Sequence, residues 1–154
     1  MRNEIQRSDI EITKKIMKRY ELIDHTADIG IIAFGRDLPE AFSNAAYAMF
    51  DILTDADRIN GKESFDIQVS ARNQDELLIN WLDELLFRYE TEYILCGKFV
   101  INSLNDGNLD ATVYYEKIDR SKHEIKTEIK NVTYHQLKIE KKQTGWSVQV
   151  IFDV

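Results

Sequence analysis

Two stretches of this chain space their apolar residues at threes and fours, while most of the sequence around them alternates in twos. A chain so patterned has to lay a small number of helices on a sheet. The first helical stretch opens at Pro39, where the missing N–H of proline costs nothing, and repeats Leu38, Ala41, Phe42, Ala45, Met49 and Leu53 along one face. The second begins at Asn73, whose side chain suits an N-cap, with Glu76 placed three residues on to complete a capping box. Leu77, Leu78, Trp81, Leu82, Leu85, Leu86 and Tyr89 then form a wide buried stripe.

Strands fill the remainder. Residues 20–24 and 29–35 read as two short strands joined by a corner, and Phe65, Ile67 and Val69 alternate with Asp66, Gln68 and Ser70 as in a half-buried strand. Asn105-Asp106-Gly107-Asn108 marks a hairpin turn between strands at 98–103 and 109–115; Gly145 marks another between 132–140 and 146–153. The order is ββαβαββββ. It predicts an α+β fold with two helices packed on a mixed, largely antiparallel β-sheet, a layered sandwich.

A length of 154 residues with 44% hydrophobic content suits one domain. We place it at 20–154, preceded by a charged N-terminal extension at 1–19 that carries little apolar material beyond Ile5, Ile10, Ile12, Ile16 and Met17. Lys14, Lys15, Lys18 and Arg19 read as a solvated basic face. A domain of this size buries roughly 70% of its unfolded surface, so it needs no metal or disulfide merely to fold.

The formal charge of −7 argues against direct, sequence-specific nucleic-acid binding, which calls for a basic stripe, and favours a cation or a protein as partner. The single cysteine, Cys96, lies among Ile94, Leu95 and Phe99 and reads as a buried structural thiol in a reducing compartment. No apolar run reaches the roughly 18 residues of a membrane span, and the start of the chain lacks a signal-peptide core, so the expected location is the cytoplasm with no membrane partner. Phosphate loops, nucleophile elbows and paired zinc-ligand spacings are missing as well.

Acidic residues gather at two distant places. Asp24-His25-Thr26-Ala27-Asp28 precedes the apolar run Ile29, Ile31, Ile32, Phe34, and Phe152-Asp153-Val154 closes the last alternating strand. If those strands are neighbours, several oxygens converge, a donor set that suits a hard divalent cation, calcium first. Asp28 alone could equally satisfy backbone donors in a tight turn. His25 is a poor calcium ligand and fits better as a group that holds the turn or donates to Asp28. His135 runs in phase with Leu137 and Ile139 and reads as a core histidine, while Lys130 suits either a solvated strand edge or contact with a carboxylate. Asp55-Ala56-Asp57 with Asn60-Gly61 fails as a calcium loop because Ile59 occupies a ligand position.

The same residues carry a resemblance. Asp24 to Asp28 with Ile29-Gly30, then Leu38-Pro39-Glu40-Ala41-Phe42, Asp51-Ile52-Leu53-Thr54-Asp55, the run from Leu77 to Leu85, Ile129-Lys130-Asn131-Val132-Thr133-Tyr134-His135 and Phe152-Asp153-Val154 together resemble the archease family, in its order of blocks. The resemblance covers about residue 20 onward. It implies a non-catalytic protein cofactor of the RtcB-type tRNA-splicing RNA ligase, promoting guanylylation, repeated turnover and broader nucleotide use. It further implies a metal site at Asp28, Asp153 and a backbone or terminal oxygen of Val154, holding Ca2+ or another divalent cation such as Mg2+ or Mn2+. Asp24, His25, Lys130 and His135 are then candidates for supporting those ligands or touching the partner.

One departure stands out: Tyr115 precedes Glu116 where the family commonly has glycine, which leaves the local hairpin geometry open. Two other readings also stay open. A metal held by Asp28 and Asp153 could activate water in a hydrolase, and a small α+β sandwich could act as a chaperone-like scaffold. Exposed strand edges leave homo-oligomer formation open too.

Overall fold

Asp37 starts the first helix by accepting the amide of Glu40 at 2.9 Å, and the Glu40 carboxylate returns the favour to the amide and guanidinium of Arg36. The computed structural model describes residues 18–23 and 27–154; Asp24, His25 and the extension before residue 18 lie outside the described residues. Helix α1 runs Leu38–Leu53 and turns a face rich in alanine inward. Those small side chains let it approach strands from both halves of the molecule, β2 (Ile29–Gly35), β7 (Gly145–Asp153) and β4 (Ile94–Asn105).

Helix α2, Gln74–Glu92, is capped as its sequence predicts, Asn73 Oδ1 accepting the Glu76 amide at 2.9 Å. The Glu76 carboxylate pairs with Arg72 in addition, so the return half of the capping box is replaced by an ion pair. All seven stripe residues, Leu77 to Tyr89, are buried. Trp81 anchors them: its Nε1 donates to the Phe42 carbonyl at 3.0 Å and its ring meets Phe99 edge-on. The helix ends where Tyr93 takes a left-handed conformation, φ 55°.

The strands divide into two antiparallel sheets. One has the order β1-β2-β7-β6, with β1 at Tyr20–Ile23 and β6 at Asn131–Lys142. The other has the order β3-β5-β4, with β3 at Glu63–Ser70 and β5 at Asn108–Lys117. The expected class and element order hold. Periodicity identifies strands but not their partners, which is why the split into two sheets is learned only here.

Tyr115 is an ordinary strand residue. It pairs with Cys96 on one side and Glu63 on the other, packs its ring on Phe65 and donates its hydroxyl to Glu63. No positive φ is needed there, so the departure from glycine leaves the strand intact. Cys96 is fully buried, and burial pushes its thiol far above the ordinary range, as expected of a structural cysteine.

Strand β6 corrects one reading. Its register with β7 breaks between Thr133 and Lys138, and Gln136 has φ 52°, the mark of a bulge. The alternation that would have put His135 inside is reset by that bulge, and His135 is exposed.

Candidate functional site

Strand β7 lies between β2 and β6, and Ile29 is registered against Phe152. Extending that register by one residue sets Asp28 across from Asp153, so the condition for bringing the two acidic segments together is met. The chain enters β2 through Ala27, which adopts φ 67° although it is not glycine, a conformation costing about 1 kcal/mol that fixes the direction in which Asp28 leaves the corner. Gly30 then allows close cover beneath the tip: a Cβ there would meet Ile23 Cγ1 at 2.4 Å and Ile151 Cδ1 at 2.8 Å.

Asp153 is held from the other side. The Lys130 amide donates to its carbonyl at 2.7 Å, Asn131 Nδ2 donates to its carboxylate at 3.3 Å, and Thr133 Oγ1 donates to the Ile151 carbonyl at 2.8 Å. Lys130 reaches the tip with its backbone, and its side chain is exposed. Val154 is half-buried against the core beyond Asp153.

Beside Asp28 opens a cleft of about 420 Å3, lined among others by Tyr20, Leu22, Asp51, Lys126 and Thr127. From sequence, Asp51 stands only within the block Asp51-Ile52-Leu53-Thr54-Asp55, with no role of its own. It accepts the Tyr20 hydroxyl on one oxygen and the Ala56 amide on the other. Burial, the Asp51 hydrogen bond and the Asp51 charge push the Tyr20 hydroxyl well above its ordinary range, so it stays a donor. The available signal was a lone carboxylate beside Ile52 and Leu53 at the end of an apolar helix face. A second cleft, of about 250 Å3, lies at the Gly35–Trp146 end of the same sheet and is rimmed by Lys18, Arg36 and Lys142. Its only carboxylate among the described residues, Glu40, is engaged by Arg36, whereas the tip cleft is lined by both Asp28 and Asp51.

The segment 118–130 forms one wall of the tip cleft and is strapped to the body. Thr54 Oγ1 donates to the Glu124 carbonyl, the Lys126 amide donates to the Leu53 carbonyl, and Tyr89 donates to Glu128. At its start sits His123, 2% exposed and unremarked in the sequence. Its Nδ1 accepts the Asp119 amide at 3.0 Å, while Nε2 lies 3.4 Å from Glu116 Oε1 without hydrogen-bond alignment. Glu116 accepts from Lys122 Nζ at 2.7 Å and from the Asn60 amide. Burial alone would raise the Glu116 carboxyl, and these donors with the Lys122 charge more than offset it, leaving it below the usual range.

Chemically, the tip offers oxygen donors and little else. Asp28, Asp153 and an oxygen of Val154 match a hard divalent cation in kind. Among the described residues no group of three or more His, Cys, Asp and Glu side chains is close enough to hold a metal, and Asp24 and His25 lie outside them. The described helices include none long and apolar enough to cross a membrane.

The chain matches the family described as Archease protein family (MTH1598/TM1083) over residues 20–154. It is 39% identical over 140 residues to a Sulfurisphaera tokodaii protein named Protein archease, covering 90% of this chain and all of that one. To the Pyrococcus abyssi protein of the same name it is 40% identical over 142 residues, again with 90% and full coverage. Its fold resembles the solution structure of Methanobacterium thermoautotrophicum protein 1598, with TM-score 0.76, 39% identity and coverage of 90% and 100%. The crystal structure of Thermotoga maritima TM1083, described as an archease and possible chaperone, shares the fold at TM-score 0.56 and 20% identity, covering 87% of this chain and 96% of that one.

Proposed function

Since the chain belongs to the archease family, we propose that it activates an RtcB-type tRNA-splicing RNA ligase, promoting its guanylylation and multiple turnover and broadening its NTP use in tRNA splicing and RNA repair. The protein acts as a cofactor in cytoplasm and leaves the chemistry to the ligase. The observation that supports this reading is the register of β2 on β7, which ends with Ile29 against Phe152 and leaves Asp28 and Asp153 as the next residue of each segment.

In this reading the tip docks at the nucleotide centre of the ligase. Asp28 and Asp153 present negative charge where the partner gathers metal ions for phosphoryl transfer, and placing fixed charge there favours a reactive arrangement without any bond being made by this chain. Asp28, Asp153 and Val154 would hold a divalent cation, Ca2+ or else Mg2+ or Mn2+, which when bound supplies the positive charge that lets the two carboxylates sit together. The Lys130 amide and the Asn131 side chain hold Asp153, and Lys130 and His135, whose side chains are exposed, would touch the partner. Asp24 and His25 extend the same corner in sequence. A net charge of −7 steers the protein toward the basic surface that an RNA-binding ligase must present.

The test is ligase guanylylation with labelled GTP, with and without substoichiometric amounts of this protein. Acceleration beyond one turnover establishes the activator role. An active ligase left unaffected refutes it and favours either a metal-dependent hydrolase at the tip, read by nucleotide or ester hydrolysis, or a chaperone-like scaffold, read by a holdase assay.

A further inference from the structure

Away from the tip, the outward face of α2 is built unlike an ordinary solvated helix. Asn80, Asp83, Phe87 and Glu90 follow one another at three- and four-residue spacing, with Phe87 58% exposed in their midst. The bulge of β6 adds Tyr134, 57% exposed and within electrostatic reach of Glu76, Asp83, Asp75 and the cation Arg72. Between α2 and the end of β3 runs an open groove of about 390 Å3 lined by Gln68, Ser70, Asn80, Asp83, Glu84 and Phe87.

The charges on this face are not balanced. Arg72 is engaged by Glu76, and Arg88 turns away to pair with Glu84 and Glu92 and to stack on the Phe65 ring at 4.1 Å. Asp75, Asp83 and Glu90 have no ion pair among the described residues. The Asp83 carboxyl is pushed up from its ordinary range, first by desolvation and then by the Glu90 charge, so a cation brought to this face would favour its charged form.

We propose that this face, Asp83, Phe87 and Glu90 of α2 with Tyr134 of the β6 bulge, docks an arginine-bearing basic segment of a protein partner. Guanidinium groups suit both parts of the surface, stacking on the exposed rings and pairing in a fork with carboxylates. Other occupants are disfavoured by charge. Nucleic acid and an anionic membrane are repelled, and a second copy of this chain in a two-fold pairing sets acid against acid. The face also adjoins the tip, since β6 pairs Asn131 with Asp153 and Thr133 with Ile151 before it bulges at Tyr134. A partner held at the tip therefore has this face beside it, yet the proposal stands without the ligase.

The experiment titrates the 15N-labelled full chain with a short synthetic arginine–leucine peptide, using a glutamate–leucine peptide as control. Saturable shifts at Asp83, Phe87, Glu90 and Tyr134 are expected, weakened about tenfold or more by D83N/F87A and by salt, and unchanged by D28A. Asp83→Lys, a charge reversal at an exposed position, serves as the second variant. Shifts centred on Asp28 and Asp153, binding unaffected by D83N/F87A and D83K, or equal binding of the acidic peptide each overturns the proposal. So does sedimentation showing that Phe87 is covered in a self-associated form which F87A dissolves.

Discussion

The Lys130 amide donates to the Asp153 carbonyl at 2.7 Å, joining the end of the 118–130 segment to the last residues of β7. This bond belongs to the backbone, so the two roles of Lys130 separate cleanly by mutation. K130P removes the donor and is expected to cost about 1–3 kcal/mol in urea unfolding, with loss of ligase activation. K130A keeps the bond and should stay within about 0.5 kcal/mol of the parent. Activation lost in K130A at unchanged stability would assign the ammonium a direct contact.

Asp28 and Asp153 give a test of the cation independent of any ligase. If they hold Ca2+, Mg2+ or Mn2+, the melting temperature rises with added cation, by the equivalent of about 2.7 kcal/mol at a hundredfold excess over the dissociation constant. D28A and D153N should abolish that rise while leaving the cation-free melting temperature nearly unchanged. A melting temperature indifferent to all three cations would refute the metal assignment and leave the tip as a bare anionic contact.

The cluster at Glu116, Lys122 and His123 predicts an acid-labile wall. The Glu116 carboxyl lies below its usual range in the folded chain, so its contribution is fully present above the unfolded value of about 4.3 and fades as pH falls through the lower folded one. Protection factors of the 118–130 amides, corrected for the intrinsic pH dependence of exchange, should fall below about pH 4.3 in the parent, and E116Q should be less protected at neutral pH with a flatter acid response. Identical profiles for parent and E116Q would contradict this account.

Trp81 fills the space between α1 and α2 with 0% exposure and holds the Phe42 carbonyl. W81F keeps an aromatic ring but loses volume and the indole donor, and should cost about 2 kcal/mol in urea unfolding. Ligase activation at low temperature should survive it, because no atom of Trp81 lines the tip cleft.

The two helices were legible because their signals are local: a capping side chain at Asn73, a proline at the start of α1, and stripes whose members touch through one helix. The acidic residues of the tip were legible, but that their two segments are neighbours depended on β2 choosing β7, a pairing that no periodicity encodes. His135 was misread because one bulge resets every later side chain in its strand. The roles of Asp51, named only within a block, and of His123 were not legible for another reason. Their environments come from partners on other elements, Tyr20 for the first and Glu116 for the second, and sequence neighbours give no hint of either.

The pairing of β2 with β7 also sets when the tip can exist. Helices and the β4–β5 hairpin can form from nearby residues, whereas this pair joins segments from opposite ends of the domain and has the highest contact order in the fold. During synthesis, a ribosome-bound chain that still lacks β7 carries every residue of its helices and second sheet but not the strand that β2 pairs with. Any property that needs Asp28 and Asp153 together therefore arrives last, and a chain clipped before residue 153 is expected to lose it outright, which an activation assay on the truncated chain would check.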